Sequence, residues 1–202
     1  MKPVHKINQQ IPLHIERISP NGEGVGHHTK AQFFVRDSIP GEDLLVQITA
    51  LSQQRPEGYA KMIQLKRPSP DRVEPICAHF GTCGGCDLQH MKYEAQVKVK
   101  RQQVQQELSQ YKTLSAVEVE ACQPSPESHR YRYVAKWVSR MHLGKVWLGA
   151  FARRSHDIIS TENCWVHRTS LEIFGVTLRR ILNMPVGSVI APYLRYVVYA
   201  RR

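Results

Sequence analysis

The chain has 202 residues, 42% of them hydrophobic, which is enough to pack cores and argues against wholesale disorder. It holds no apolar run near the ~18 residues of a membrane helix, and its first ten residues lack the apolar stretch of a secretory leader. Net charge is +11, and residues 113–202 carry most of the excess, with thirteen Lys or Arg against six Asp or Glu. Such a balance points to a polyanion, above all nucleic acid, as partner. The chain reads as cytoplasmic and monomeric, and in that compartment five cysteines speak for metal binding over a disulfide framework.

Residues 7–66 read as short strands. Ile11, Leu13, Ile15 and Ile18 approach alternation, and Pro20 to Gly26 reads as a glycine-rich turn. Ala31 to Val35 is a strand whose adjacent Phe33 and Phe34 must face opposite sides. Ile39-Pro40-Gly41-Glu42 suits a type II turn. Leu44, Val46 and Ile48 alternate, and Tyr59 to Leu65 is a further strand. Four or five short strands separated by Gly and Pro turns imply a small closed β-barrel. Prolines 68, 70 and 75 mark a linker into a cysteine-rich stretch. Met91 to Tyr111 has helical spacing, with Tyr93, Val97, Val104, Leu108 and Tyr111 as its apolar stripe.

The last segment returns to strands. These fall at 117–119, at 131–140 (Tyr131, Tyr133, Ala135 and Trp137 on one face), at 145–151, at Ile158-Ile159 and at 193–199. His142 to Lys145 reads as a hairpin turn, 171–182 as a helix and 186–188 as a turn. Arg132, Lys136 and Arg140 share the strand's second face at four-residue spacing, which suits a phosphate track. Lys145, Arg153 and Arg154 extend the set of RNA contacts.

Cys77, Cys83 and Cys86 form a C-x5-C-x2-C motif in which Gly84 and Gly85 let the backbone fold tightly. Three clustered cysteines plus one distant cysteine suit a cubane iron–sulfur cluster. Zinc is the alternative, although a second C-x2-C knuckle is missing. The fourth ligand is Cys122, in a strand-like stretch, or Cys164, just after a turn. His79, His90 and His167 lie near cysteines and read as structural.

Asn21 to Gly26, Phe34-Val35 and Pro40-Gly41-Glu42 resemble a TRAM domain, an OB-like RNA-binding barrel. The cysteine motif continues through Leu88-Gln89-His90, Tyr93, Gln96 and Lys100, and is similar to the cluster-binding segment of bacterial RNA uracil-C5 methyltransferases. Ser125-Pro126, Tyr131-Arg132, Ala135-Lys136, Gly149, Phe151, Ser155 to Ile159, Cys164 and Leu194 to Val198 resemble that family's central domain. Barrel and cluster together resemble the RumA-type (RlmD-like) branch acting on 23S ribosomal RNA; the tRNA branch is expected to lack both.

The resemblance implies a β-rich α+β chain in three parts. These are an OB-like TRAM barrel at 1–66, a cluster segment with one long helix at 67–112, and a basic mixed β-sheet domain at 113–202. It implies a [4Fe-4S] cluster on Cys77, Cys83, Cys86 and Cys164. It further implies S-adenosylmethionine as cofactor of a full-length member, with the methyl transferred after a Cys thiolate attacks uracil C6. Neither a cofactor-binding strand–turn–helix nor a spare nucleophilic cysteine occurs before Arg202. By itself the chain is expected not to methylate. The rival reading is a zinc-stapled nucleic-acid-binding or ribosome-associated module without catalysis.

Overall fold

A computed structural model describes residues 5–200, so the expected first and last parts, 1–66 and 113–202, reach past the described residues at both termini. The chain forms two compact units. One comprises residues up to 74 together with 87–124, the other residues 75–86 together with 125–202. The expected middle part, 67–112, is therefore not a body of its own: its cysteines belong to the second unit and its helix to the first.

The first unit is built on six strands: β1 Gln10–His14, β2 Arg17–Ile18, β3 Gly24–His28, β4 Ala31–Val35, β5 Asp43–Leu51 and β6 Glu57–Arg67. They form one sheet in the order β1-β5-β6-β4-β3-β2, in which only the β4–β6 pair is parallel. Alternation dictates its interior. Ile11, Leu13, Phe33, Val35, Val46 and Ile48 are buried together, while Phe34 points outward against the Tyr59 ring, 5.4 Å away. Gly41 has φ +86°, as the expected type II turn requires. That turn buries Glu42, whose carboxylate accepts hydrogen bonds from Arg72 Nη2 at 2.9 Å and from the Ile39 N–H at 3.0 Å.

Three expectations need correction here. The stretch from Gly24, read as turn, is strand β3. Helix α1 (Tyr93–Ser109) does not use the expected stripe: Ala95 and Val99 are buried, with Met91, against Ile18 and Ile39, while Val104 and Tyr111 are exposed. Residues 117–119 form no strand; they lie along α1, where Gln105 bonds the Val119 N–H and the Val117 carbonyl, both at 2.9 Å.

The second unit carries a four-stranded antiparallel sheet in the order β10-β7-β8-β9, with β7 Val134–His142, β8 Lys145–Phe151, β9 Ile158–Ser160 and β10 Tyr196–Ala200. The β7–β8 hairpin turns through Leu143 (φ +50°) and Gly144 (φ +74°), a primed turn that matches strand twist. Ala135, Trp137, Val146 and Leu148 face inward onto helix α2 (Thr169–Leu182), where Leu171 and Leu182 are buried and Phe174 stacks on Trp137. The residues read as the 186–188 turn fall in one helical turn, α3 (Pro185–Ser188). A 3-10 turn at Ala191–Tyr193 delays the final strand to Tyr196. Among the described residues no helix is long and apolar enough to cross a membrane.

Candidate metal centre and basic sheet face

The three-cysteine loop is bound to the strand end that follows β8. The Cys83 N–H donates to the His79 carbonyl at 2.8 Å, the Gly84 N–H to Phe151 O at 3.1 Å, and the Arg153 N–H to Thr82 O at 2.9 Å. A Cβ on Gly84 would stand 3.1 Å from the Phe151 carbonyl, so a larger residue there would have to shift the strand end by a few tenths of an ångström. Gly85 lies against the Cys83 sulfur and turns its N–H toward it. Arg153, expected to meet RNA, closes the loop instead: its Nη2 donates to the Cys86 carbonyl at 2.7 Å and its guanidinium lies over Phe80.

Cys164 follows a turn at Asn163 (φ +60°) and precedes α2. The N–H groups of Val166 and His167 point at its sulfur, and the His167 imidazole bonds it as well. Glu172, in the first turn of α2, holds both partners: Oε2 accepts the Cys164 N–H at 3.2 Å and Oε1 meets His167 Nδ1 at 2.7 Å. Donor atoms of Cys164, His167 and Glu172 lie within 4.8 Å of one another. Glu172 thus engages the Cys164 backbone and the His167 ring at once. Glu172 escapes a reading of the sequence; its signal is an acidic residue one helical turn into α2, eight positions after a cysteine.

Cys83 and Cys164 are shifted in opposite directions. Burial, then the charges on Cys164 and Cys77, push the Cys83 thiol up, against the Gly85 N–H and the Arg153 cation. Burial also opposes ionisation of Cys164, but the His167 side chain and the two backbone N–H groups outweigh it and hold that thiol below its ordinary value. Burial opposes charge on His167 in turn, and its bonds to Cys164 and Glu172 overcome this, raising it to about 9. Cys77, Cys83, Cys86 and Cys164 are all half-buried and all in the second unit. Cys122 belongs to the first unit. Backbone N–H groups aimed at the Cys83 and Cys164 sulfurs, with Cys83 sensing the charge on Cys164, would suit these cysteines as thiolate ligands of a cluster or zinc.

The expected phosphate track is only partly realised. Lys136 and Arg140 share the exposed face of β7, and Lys145 joins that face opposite His142. Arg132 is exposed just before the strand, its backbone in a bridge with His167. Arg154 is exposed at a turn with φ +54°. The same sheet face carries two rings that the charge pattern does not single out, Trp147 and Tyr196. The alternation of Trp147 with Val146 and Leu148 is the signal that it turns away from the core.

No protein-family model matches the chain. It is 34% identical over 177 residues to a protein of Listeria innocua, 34% over 165 residues to one of Streptococcus pyogenes serotype M1, and 30% over 182 residues to one of Halalkalibacterium halodurans. Each carries the name uncharacterized RNA methyltransferase, and the matches cover 88%, 81% and 89% of this chain. The chain spans less than two fifths of their length: 38%, 36% and 39%. Its fold is shared, at a TM-score of 0.60 and 23% identity, with the Pyrococcus abyssi tRNA (uracil-54, C5)-methyltransferase solved in complex with S-adenosyl-L-homocysteine. That likeness covers 92% of this chain and 42% of the other. A tRNA-acting enzyme thus shares this fold.

Proposed function

We propose that the chain is the RNA-binding, [4Fe-4S]-bearing portion of an S-adenosylmethionine-dependent RNA uracil-C5 methyltransferase. The observation that carries the reading is the convergence of Cys77, Cys83 and Cys164, with Cys86 in the same strapped loop, inside a chain whose relatives are named RNA methyltransferases along most of its length. The six-stranded unit acts as the OB-like TRAM barrel, a fold suited to RNA. Cys77, Cys83, Cys86 and Cys164 hold the cluster, which when bound ties the loop before α1 to the segment before α2. Gly85, Val166 and His167 direct N–H groups at its thiolate ligands, and Glu172 fixes Cys164. Methyl transfer belongs to the part of such proteins beyond the matched region.

Lys136, Arg140, Lys145 and Arg154 are the phosphate contacts, with Arg132 at their margin. The substrate is 23S ribosomal RNA; tRNA is the second reading, favoured by the shared fold with the Pyrococcus abyssi tRNA enzyme. The chain, purified without oxygen, is titrated with a 23S fragment and with tRNA over a range of salt. Four phosphate contacts give a slope of log K against log salt of about −3. Flat salt dependence, or no binding of either RNA, contradicts the proposal; tighter binding of tRNA moves the assignment to the second reading. The zinc-stapled alternative draws on the Cys164–His167–Glu172 donor group and predicts a colourless protein with one zinc.

A further inference from the structure

The outward face of the four-stranded sheet combines aromatic, apolar and basic side chains. Register places Tyr196 beside Val138, Val138 beside Gly149, Val198 beside Lys136, Arg140 beside Trp147, and His142 beside Lys145. Every residue of β7, β8, β9 and β10 on this face is apolar, aromatic, small or basic. Lys136, Arg140 and Lys145 supply three full positive charges, and no Asp or Glu faces them from any of the four strands. Among these side chains Trp147 is 42% exposed and Tyr196 is 49% exposed.

Trp147, Tyr196, Val198 and Val134 are all exposed on this one face, and a contiguous apolar patch rimmed by charge marks an interaction site. The neighbours of Trp147 say what kind of partner it takes. The His142 ring lies near-perpendicular to the indole with centroids 5.7 Å apart, and Arg140 and Lys145 flank it with cations. Lys136 Nζ stands 4.4 Å over the Tyr196 ring. Two strand spacings and two residues of offset put the two aromatic positions about 12 Å apart. Protein partners would need opposing carboxylates to neutralise three cations; a nucleic acid brings phosphates for the cations and bases for the rings at once. Aromatic side chains on a four-stranded sheet are a recurrent way to read unpaired bases.

We infer that this sheet face is a platform for single-stranded RNA, on which one base stacks on Trp147 and another on Tyr196 while Lys136, Arg140 and Lys145 take the phosphates. The inference rests on the proposed RNA-binding function and adds the state of the substrate: the RNA is unpaired where it crosses the sheet. It also adds two residues, Trp147 and Tyr196, that charge alone does not find.

The test is fluorescence anisotropy of a labelled single-stranded oligoribonucleotide of about 12 nucleotides, within the usual site size of such surfaces, with the full chain and its variants. Trp147→Ala is expected to weaken binding about fivefold or more, whereas Trp147→Phe, which keeps a ring, stays near the parent. Lys136→Gln with Arg140→Gln is expected to flatten the salt slope by about 1.4. A duplex of the same sequence is expected to bind more weakly and to ignore Trp147→Ala. The substituted positions are exposed or on the exposed face, and unchanged thermal unfolding verifies that the variants fold. If the parent binds RNA steeply with salt but Trp147→Ala matches it, the platform is wrong and the RNA-binding function stands. If the parent binds no RNA, both fail. If instead Trp147→Ala abolishes self-association of the chain seen by sedimentation without RNA, the face is a protein interface and the inference is overturned.

Discussion

Single residues in this protein differ in how far their chemistry can be read. The glycines of the cysteine loop have a reason visible in the sequence, tight folding near sulfur; Gly85 lies against the Cys83 sulfur, whereas Gly84 faces the Phe151 carbonyl. Glu42 and Glu172 are not legible, because each depends on a partner distant in sequence or on the geometry of a helix start. His90 is a third case: it reads as structural, and it is fully buried in the first unit. Burial, and then the Arg72 cation, lower its pKa below the ordinary 6.5, so the folded state takes up the proton less readily than the unfolded chain. Its contribution to stability is therefore complete above about 6.5 and is lost as pH falls through the lower folded value. Urea midpoints of the first unit are expected to drop between pH 7 and pH 5, and His90→Gln is expected to flatten that dependence. A parent with equal midpoints at both values would refute the assignment.

At the scale of elements, alternation locates β1, β4, β5, β6, β7 and β8, since one face of each packs on a core. Strand β3 escapes it because its glycines resemble a turn. They are small for a different reason: a Cβ at Gly24 would stand 2.1 Å from Ser38 Oγ, and one at Gly26 2.1 Å from the His14 carbonyl. The buried face of α1 differs from the expected stripe because close packing on Ile18 and Ile39 selects Ala95 and Val99 over longer apolar side chains. The same logic applies to β8. A Cβ on Gly149 would meet the Ile159 carbonyl at 1.9 Å, so Gly149→Ala must push β9 off the sheet edge. Overpacking of this kind costs about 1–3 kcal/mol. Since β9 leads directly to Cys164, the variant is expected to melt several degrees lower and to retain less metal on purification. An unchanged melting temperature would show that β9 yields freely.

For the whole molecule, the sequence reads as three consecutive parts, whereas the structure forms two units that each draw on separate stretches of chain. Periodicity identifies strands and helices but not which of them share a core, so the cysteine loop and α1, neighbours in the chain, read as one part. They belong to different units. That division sharpens the choice between the two remaining cysteines. Cys164 shares a unit with Cys77, Cys83 and Cys86 and is felt electrostatically by Cys83, whereas Cys122 is placed with α1. The proposed function accordingly depends on one site, assembled within the second unit from a loop before α1 and a turn before α2.

The direct measurement is iron and acid-labile sulfide in the chain purified without oxygen, compared with Cys164→Ser and Cys122→Ser. The expected result is a brown protein with about four irons and four sulfides per chain, retained in Cys122→Ser and lost in Cys164→Ser. A colourless protein with a single zinc, or a cluster that survives Cys164→Ser and disappears in Cys122→Ser, would contradict it.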